Sequence, residues 1–274
     1  MKSQRRVAES YNVMRTSFWL RTAGVAGVLG LLLSAPSAAD ISVDVSPAKY
    51  ELQTQPGKQE TFPITVRNTS GAPVHIVATL ADYAVGPTGN YAFTAPGKSI
   101  YSLSKTITIN PREFDLEPGT FAQVRFSVDV PPNAAGEYSN LVFFTTRPTR
   151  KGPGLSIVER IASKIYVMIP DSTRIGGEVN DVKTQSLSDG QHYLVDFRNT
   201  GNAHIYLSGR VEIKQGGAVV DRITFPQGLL VERSGKRLID AVGKKLAPGS
   251  YSVVALVDYG GPNLVAGQAN ITVR

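Results

Sequence analysis

The sequence predicts an all-β protein of two immunoglobulin-like β-sandwiches in tandem, residues 40–170 and 171–274, behind an N-terminal signal peptide over residues 1–39. Three observations carry this. From Asp40 onward no sustained helical periodicity occurs; short runs rich in Val, Ile, Thr, Tyr and Phe alternate with clusters of Gly, Pro, Asn and Asp. Many short strands separated by regular turns indicate a sandwich. One phrase also occurs twice: Val66-Arg67-Asn68-Thr69, a glycine turn, then His75-Ile76, and Phe197-Arg198-Asn199-Thr200, a glycine turn, then His204-Ile205. A second echo pairs Leu116-Glu117-Pro118-Gly119-Thr120-Phe121 with Leu246-Ala247-Pro248-Gly249-Ser250-Tyr251.

The first 39 residues read as an export address. Thr22 to Leu33 is an uncharged apolar run, preceded by Arg15 and Arg21 and followed by Ser34-Ala35-Pro36-Ser37-Ala38-Ala39. A basic flank, a short apolar segment and a small-residue end make a secretory signal peptide. The run falls short of the roughly 20 residues that span a bilayer. Cleavage is expected after Ala39, with Met14 as an alternative start that gives a signal of more usual length. The mature chain is expected to be free in the periplasm or secreted, without a membrane span.

Composition narrows the class. At 42% hydrophobic and 19% charged residues the chain is globular in character, so disorder is excluded. Removing Lys2, Arg5, Arg6, Arg15, Arg21 and Glu9 with the signal leaves 24 basic and 21 acidic residues, or +3 in place of the formal +7. That surplus is too small and too dispersed for a nucleic-acid surface. Cysteine is absent, which excludes disulfide staples, thiol catalysis, lipid anchoring through cysteine and cysteine metal sites. Each sandwich must then be held by apolar burial, which about 100 residues can supply.

The strands follow in order. Thr61 to Arg67 alternates and stops at Asn68-Thr69-Ser70-Gly71; Val74 to Leu80, Ile107 to Asn110, Phe121 to Val130 and Tyr138 to Thr146 continue the series. Phe121, Val124 and Phe126 break strict alternation, which predicts a bulge there. Leu155 to Ile169 is expected to be the longest strand. One face carries Leu155, Ile157, Ile161, Ile165, Val167 and Ile169; the other carries Val158, Arg160, Ala162, Lys164, Tyr166 and Met168. The basic stretch Arg147 to Gly154 before it reads as a mobile loop, and Pro170-Asp171-Ser172-Thr173 marks the domain boundary. In the second half, Tyr193 to Arg198 and Ala203 to Val211 are strands.

Motifs for chemistry are missing. The chain has neither G-x-S-x-G, nor H-E-x-x-H, nor a glycine-rich phosphate loop. Of the three histidines, His75 and His204 fall at matching points of the repeat, which favours structural roles over a shared site. Glu113, Asp115 and Glu117 would share one strand face; a calcium site is one reading and a solvated face the plainer one. Aromatic residues are not gathered on a basic surface. No enzyme activity, cofactor or metal is expected.

The order of features resembles a known family. The opening segment Ile41 to Leu52 reads as one strand, ahead of Ile64-Thr65-Val66-Arg67-Asn68-Thr69-Ser70, Ile109-Asn110-Pro111, Leu116-Glu117-Pro118-Gly119 and the closing run Ser163 to Pro170. This resembles the PapD-like periplasmic chaperones of chaperone–usher pilus assembly. The resemblance implies a protein that assists assembly of pilin-like or surface subunits by strand-edge pairing, its closing strand donating apolar side chains, here Leu155, Ile157 and Ile161. It implies two cations that hold a subunit carboxylate, here Lys49 on the opening strand, where the family has arginine, and Lys164 on the closing strand. The first domain is also similar to the peptidoglycan-binding module of surface proteins that partner WxL-type cell-wall proteins. Those usually carry a C-terminal membrane segment, whereas this chain ends Asn270-Ile271-Thr272-Val273-Arg274. The alternative function is therefore a secreted cell-wall-binding or adhesion and scaffold protein, with peptidoglycan as its partner.

Overall fold

A computed structural model describes residues 42–147 and 157–274. The signal segment, residues 148–154 of the basic stretch and Leu155 lie outside the described residues, while Arg147, expected to open the loop, ends a strand. The expected pair of tandem all-β sandwiches is what the chain adopts.

The first sandwich is built from β1 (Val43–Ser46), β2 (Lys49–Gln53), β3 (Gln59–Asn68), β4 (Val74–Val85), β5 (Tyr91–Thr94), β6 (Ile107–Asn110), β7 (Glu113–Leu116), β8 (Phe121–Asp129), β9 (Gly136–Arg147) and β10 (Arg160–Ile169). One sheet runs β1-β3-β8-β6; the other runs β2-β10-β9-β4-β5, with β7 also paired to β4. Period-two alternation turns Ile64 and Val66, Val124, Phe126 and Val128, Val142 and Phe144, and Ile165 and Val167 inward to one core. The bulge expected near Phe121 does not occur. β3 and β8 stay in register from Gln59↔Asp129 to Arg67↔Phe121. Phe121 lies on the outer face, 53% exposed, beneath the Arg67 guanidinium. The opening segment is likewise not one strand: β1 pairs antiparallel with β3, and β2 pairs parallel with β10 in the opposite sheet. The break falls at Pro47, which has no N–H for a ladder.

The second sandwich contains β11 (Gly177–Ser186), β12 (Gln191–Asn199), β13 (Ile205–Gln215), β14 (Ala218–Thr224), β15 (Leu229–Val231), β16 (Lys236–Gly243), β17 (Gly249–Asp258) and β18 (Val265–Val273). Its sheets are β11-β12-β16 and β14-β13-β17-β18, with β15 paired to β13. Tyr193, Val195 and Phe197 face Val211, Ile213, Val253 and Val257 across the core. The Tyr251 hydroxyl donates to Ala247 O (2.9 Å), pinning the entry to β17 in the manner of a tyrosine corner.

The repeated Arg-Asn-Thr phrase has a physical reason. Asn68 and Asn199 are both fully buried at the ends of β3 and β12. The Asn68 amide donates to Ala72 O (2.8 Å) and Leu116 O (3.1 Å), and its oxygen accepts from Ser70 N (2.9 Å). Asn199 donates to Ala203 O (2.8 Å) and Glu232 O (3.1 Å) and accepts from Gly201 N (2.8 Å). Each side chain thus closes its own turn and ties it to the segment leading into the next strand of its sheet.

The second echo does not survive. Leu116 to Phe121 leads into β8, which pairs β3, whereas Leu246 to Tyr251 leads into β17, which pairs β13. The topological partner of Leu116-Glu117-Pro118-Gly119-Thr120 is Val231-Glu232-Arg233-Ser234-Gly235. Asn68 N donates to Thr120 O as Asn199 N donates to Gly235 O, and both segments close an i to i+3 turn. Gly119 at φ +73° is matched by Ser234 at φ +56°, a left-handed residue in each copy.

Candidate functional site

The site begins at the edge of β10. β9 pairs it along its whole length, from Arg160↔Thr145 to Ile169↔Gly136. On the other side β2 covers only Lys164 to Met168. That cover starts where Lys164 N donates to Ala48 O (2.9 Å) and the Ser163 hydroxyl donates to Pro47 O (2.8 Å). Ahead of that point β1 has crossed to β3, so among the described residues no strand pairs the outer edge of Arg160 to Ala162.

The expected strand from Leu155 therefore begins only at Arg160. Glu159 N donates to the Thr146 hydroxyl (2.9 Å) instead of its carbonyl while Thr146 N still donates to Glu159 O (2.9 Å), so the ladder ends on this one backbone bond, and Ile157 to Glu159 are not strand. At ten residues β10 is also shorter than β4 and β9, at twelve each. Its inward face grades along the chain: Ile165, Val167 and Ile169 are buried and Ile161 is half-buried against the core; Ile157, ahead of the strand, is 46% exposed. An apolar row thus runs out of the core toward solvent at the unpaired end. Beside it, on the sheet's outer face, Ala81, Leu141 and Phe143 form a small cluster with Ala162. Half-exposed Phe93 meets Phe143 edge-on (5.1 Å), and the Arg160 guanidinium lies over the Phe143 ring (3.5 Å).

At the closed end of the same edge, Lys49 and Lys164 are direct register partners. The register brings the two cations together, but their surroundings differ. Lys164 lies on the face turned to the second sandwich, where its ammonium contacts Tyr91 Oη (2.6 Å), Tyr166 Oη (3.1 Å) and Glu232 Oε1 (3.1 Å). Three acceptors match its three protons, and its side chain is 11% exposed. Lys49 is 43% exposed; it pairs with Glu51 (2.5 Å) and donates to the Tyr206 hydroxyl.

Glu51 belongs to a second set of contacts between the sandwiches. His204, just ahead of β13, stacks on Tyr166 with ring centroids 4.0 Å apart. Its Nδ1 meets Glu137 Oε2 (2.5 Å), its backbone N–H donates to Glu137 Oε1 (3.0 Å), and its Nε2 meets Glu51 Oε1 (3.2 Å). Burial lowers the imidazole's proton affinity, but the hydrogen bond and charge of Glu137, with Glu51 and Glu232, outweigh it and the pKa is raised. Burial likewise pushes Glu51 up, yet the hydrogen bonds from Lys49 and Tyr206 and the charge of His204 hold its carboxyl at about 2. Arg233 completes the seam, donating to Glu137 O (2.7 Å) above the Tyr101 ring.

The other histidines also bridge carboxylates. His75 lies between Glu113 and Asp115 (2.7 Å each), and Arg147 also reaches Glu113. The acidic face thus faces cationic side chains of its own sheet. His192 lies between Asp189 and Asp240. Sequence reasoning missed Glu51, Glu137, Glu232 and Tyr166. No sequence signal marked them: Glu232 occupies the place of Glu117 in the true repeat, but that correspondence appears only in the topology.

No protein-family model and no curated protein matches this chain. Solved structures similar to it include the class 5 fimbriae chaperone CfaA, at 12% identity and a TM-score of 0.48, covering 83% of this chain and 98% of that one. The SafB chaperone, solved with the SafA pilin of Salmonella enterica, is similar at 14% identity and a TM-score of 0.44, covering 86% and 99%. The E. coli chaperone DraB is similar at 14% identity and a TM-score of 0.41, covering 85% and 97%.

Proposed function

We propose that this protein is an exported, non-enzymatic, chaperone-like assembly factor. It works in the periplasm on residues 40–274, its two domains meeting at Pro170, after removal of residues 1–39. It caps the open strand edge of another exported, pilin-like subunit by adding that strand to the unpaired end of β10. The observation that carries the reading is the half-covered edge. β10 offers backbone groups from Arg160 to Ala162 together with an apolar row, Ile161 and Ile157, that leaves the core at the same end. An unpaired strand edge is a template for another chain, with backbone bonds giving affinity and alternate side chains giving selectivity. Leu155 extends the same row in the sequence.

Of the two lysines, Lys49 is the one we assign to a subunit carboxylate, because it is accessible and held by a single carboxylate partner. Lys164 serves instead to bind the second sandwich through Glu232.

Co-expression with exported subunits encoded beside this protein tests the reading. The subunit is expected to co-purify and to be protected from degradation; a subunit that does neither overturns the proposal. A pull-down on purified peptidoglycan leaves the protein in the supernatant if it is an assembly factor, and retains it if it is a wall-binding module.

A further inference from the structure

The two outward faces of the second sandwich are built differently. The sheet β11-β12-β16 turns Asp196, Arg198, Lys236 and Asp240 outward, charges of both signs interspersed as on an ordinary solvated surface. On the sheet β14-β13-β17-β18, the outward side chains beside the Gly216-Gly217 turn are neutral hydrogen-bonding groups: Ser250, Ser252, Gln268, Asn270 and Thr272. They line a groove of about 530 Å³ whose one charged wall residue is Lys214. The register sets Ser250 opposite Thr272 and Ser252 opposite Asn270, with Lys214 opposite Ser252 on the other side. The turn glycines, at φ +57° and +86°, put no side chain over the groove's end.

Lys214 also belongs to a cluster of cations. Glu212, on the same outward row of β13, has a side chain only 8% exposed and accepts from Arg210 Nε (2.8 Å). Arg222 of β14 comes within 3.2 Å of that carboxylate and Lys214 Nζ within 3.8 Å. Three cations around one carboxylate leave a net charge of +2, and among the described residues no other carboxylate lies within 4.0 Å of them. Arg210 spends one of its N–H donors on Glu212, whose buried carboxylate holds the guanidinium in place. Donors fixed in this way are arranged in advance for a carboxylate or phosphate. The groove suits the rest of such a ligand. Hydroxyl and amide side chains both donate and accept, as a hydroxyl-rich molecule requires, and half-buried Val254 offers an apolar floor to its C–H groups. We propose that this face binds an acidic sugar of one or two rings, carrying a carboxylate or phosphate. Its hydroxyls lie along Ser250, Ser252, Asn270 and Thr272, and its anion meets Lys214 and Arg222. The inference does not depend on the subunit-capping reading, which uses the other sandwich.

Digalacturonate and glucose 6-phosphate, a carboxylated and a phosphorylated sugar, are the probes, titrated into the isotope-labelled mature chain. Its amide NMR spectrum both detects weak binding and locates it. Shifts are expected at Lys214, Arg222, Ser252 and Asn270 with at least one probe, and the tighter probe identifies the anion. No shift at these positions with either probe overturns the proposal. Lactose, a neutral disaccharide, should bind about tenfold more weakly or worse, because it forfeits the charge-assisted bonds. Lactose binding as tightly removes the cations from the site. Inorganic phosphate binding as tightly as the sugars overturns the sugar assignment. Lys214→Ala/Arg222→Ala should lower affinity for the acidic sugar about tenfold or more. Asn270→Glu puts a like charge into the groove at an exposed position away from Glu212, and should weaken binding similarly while the rest of the spectrum stays in place. Wild-type affinity in both variants overturns the placement.

Discussion

Asn68 and Asn199 show how much structural work one short side chain performs. Each satisfies buried backbone groups on two segments at once, so truncation removes the bonds and strands their partners. Asn68→Ala and Asn199→Ala should each destabilise the protein by about 3 kcal/mol, measured by urea unfolding, since every stranded group costs roughly 1–3 kcal/mol. Ser234 carries the opposite expectation. It holds φ +56° where the first sandwich uses glycine, so Ser234→Gly should raise stability by about 1 kcal/mol in the same experiment. These two positions also explain what could be read beforehand. The Arg-Asn-Thr phrase is legible because both copies keep the asparagine that the turn needs. The second turn is not, because Gly119 is matched by Ser234, and Leu246 to Tyr251, the segment that looks similar, serves a different strand.

Among the elements, alternation located β3, β6, β8, β9 and β12 closely because inward residues must be apolar to form one core. It could not find ends set by neighbours. The opening segment breaks at Pro47 because the chain changes sheets there, and the closing strand begins at Arg160 because the Thr146 hydroxyl captures Glu159 N. Apolar pattern alone reads straight through both points. The β10 edge carries a separable prediction. Ile157 is exposed, so Ile157→Asp should leave the melting temperature unchanged while strongly reducing subunit co-purification. Equal capture by the variant would remove Ile157 from the docking row.

Across the whole molecule, the two sandwiches are joined by paired ionic groups instead of a shared apolar core. Lys164 and Glu232 are both largely buried, so Lys164→Met should destabilise by about 3 kcal/mol by leaving a carboxylate unpaired. Adding Glu232→Leu should recover most of that loss, and urea unfolding of the single and double variants reads both effects. The seam also has a defined pH window. His204 has a folded pKa raised above its ordinary value, so its contribution is complete below about pH 6.5 and is lost as pH rises through the folded value. Glu51 is held at about 2, below the ordinary 4.5, so its contribution is present above that ordinary value and fades as pH falls toward 2. The seam should be tightest between about pH 4.5 and 6.5. His75 and His192 have raised pKa values too, so the contribution of His204 is the difference between wild type and His204→Gln across a pH series of unfolding curves. None of this was legible in advance, because the partners Glu51, Glu137, His204 and Glu232 are brought together only by the packing of one sandwich on the other.

Amide hydrogen exchange along β10, with and without a co-purified subunit, tests subunit capping at its source. Outward-facing amides among Arg160 to Ala162 should exchange readily in the free protein and become protected in the complex, while Lys164 to Met168, already covered by β2, change little. Protection that appears elsewhere, with Arg160 to Ala162 exchanging as before, would contradict strand addition at this edge.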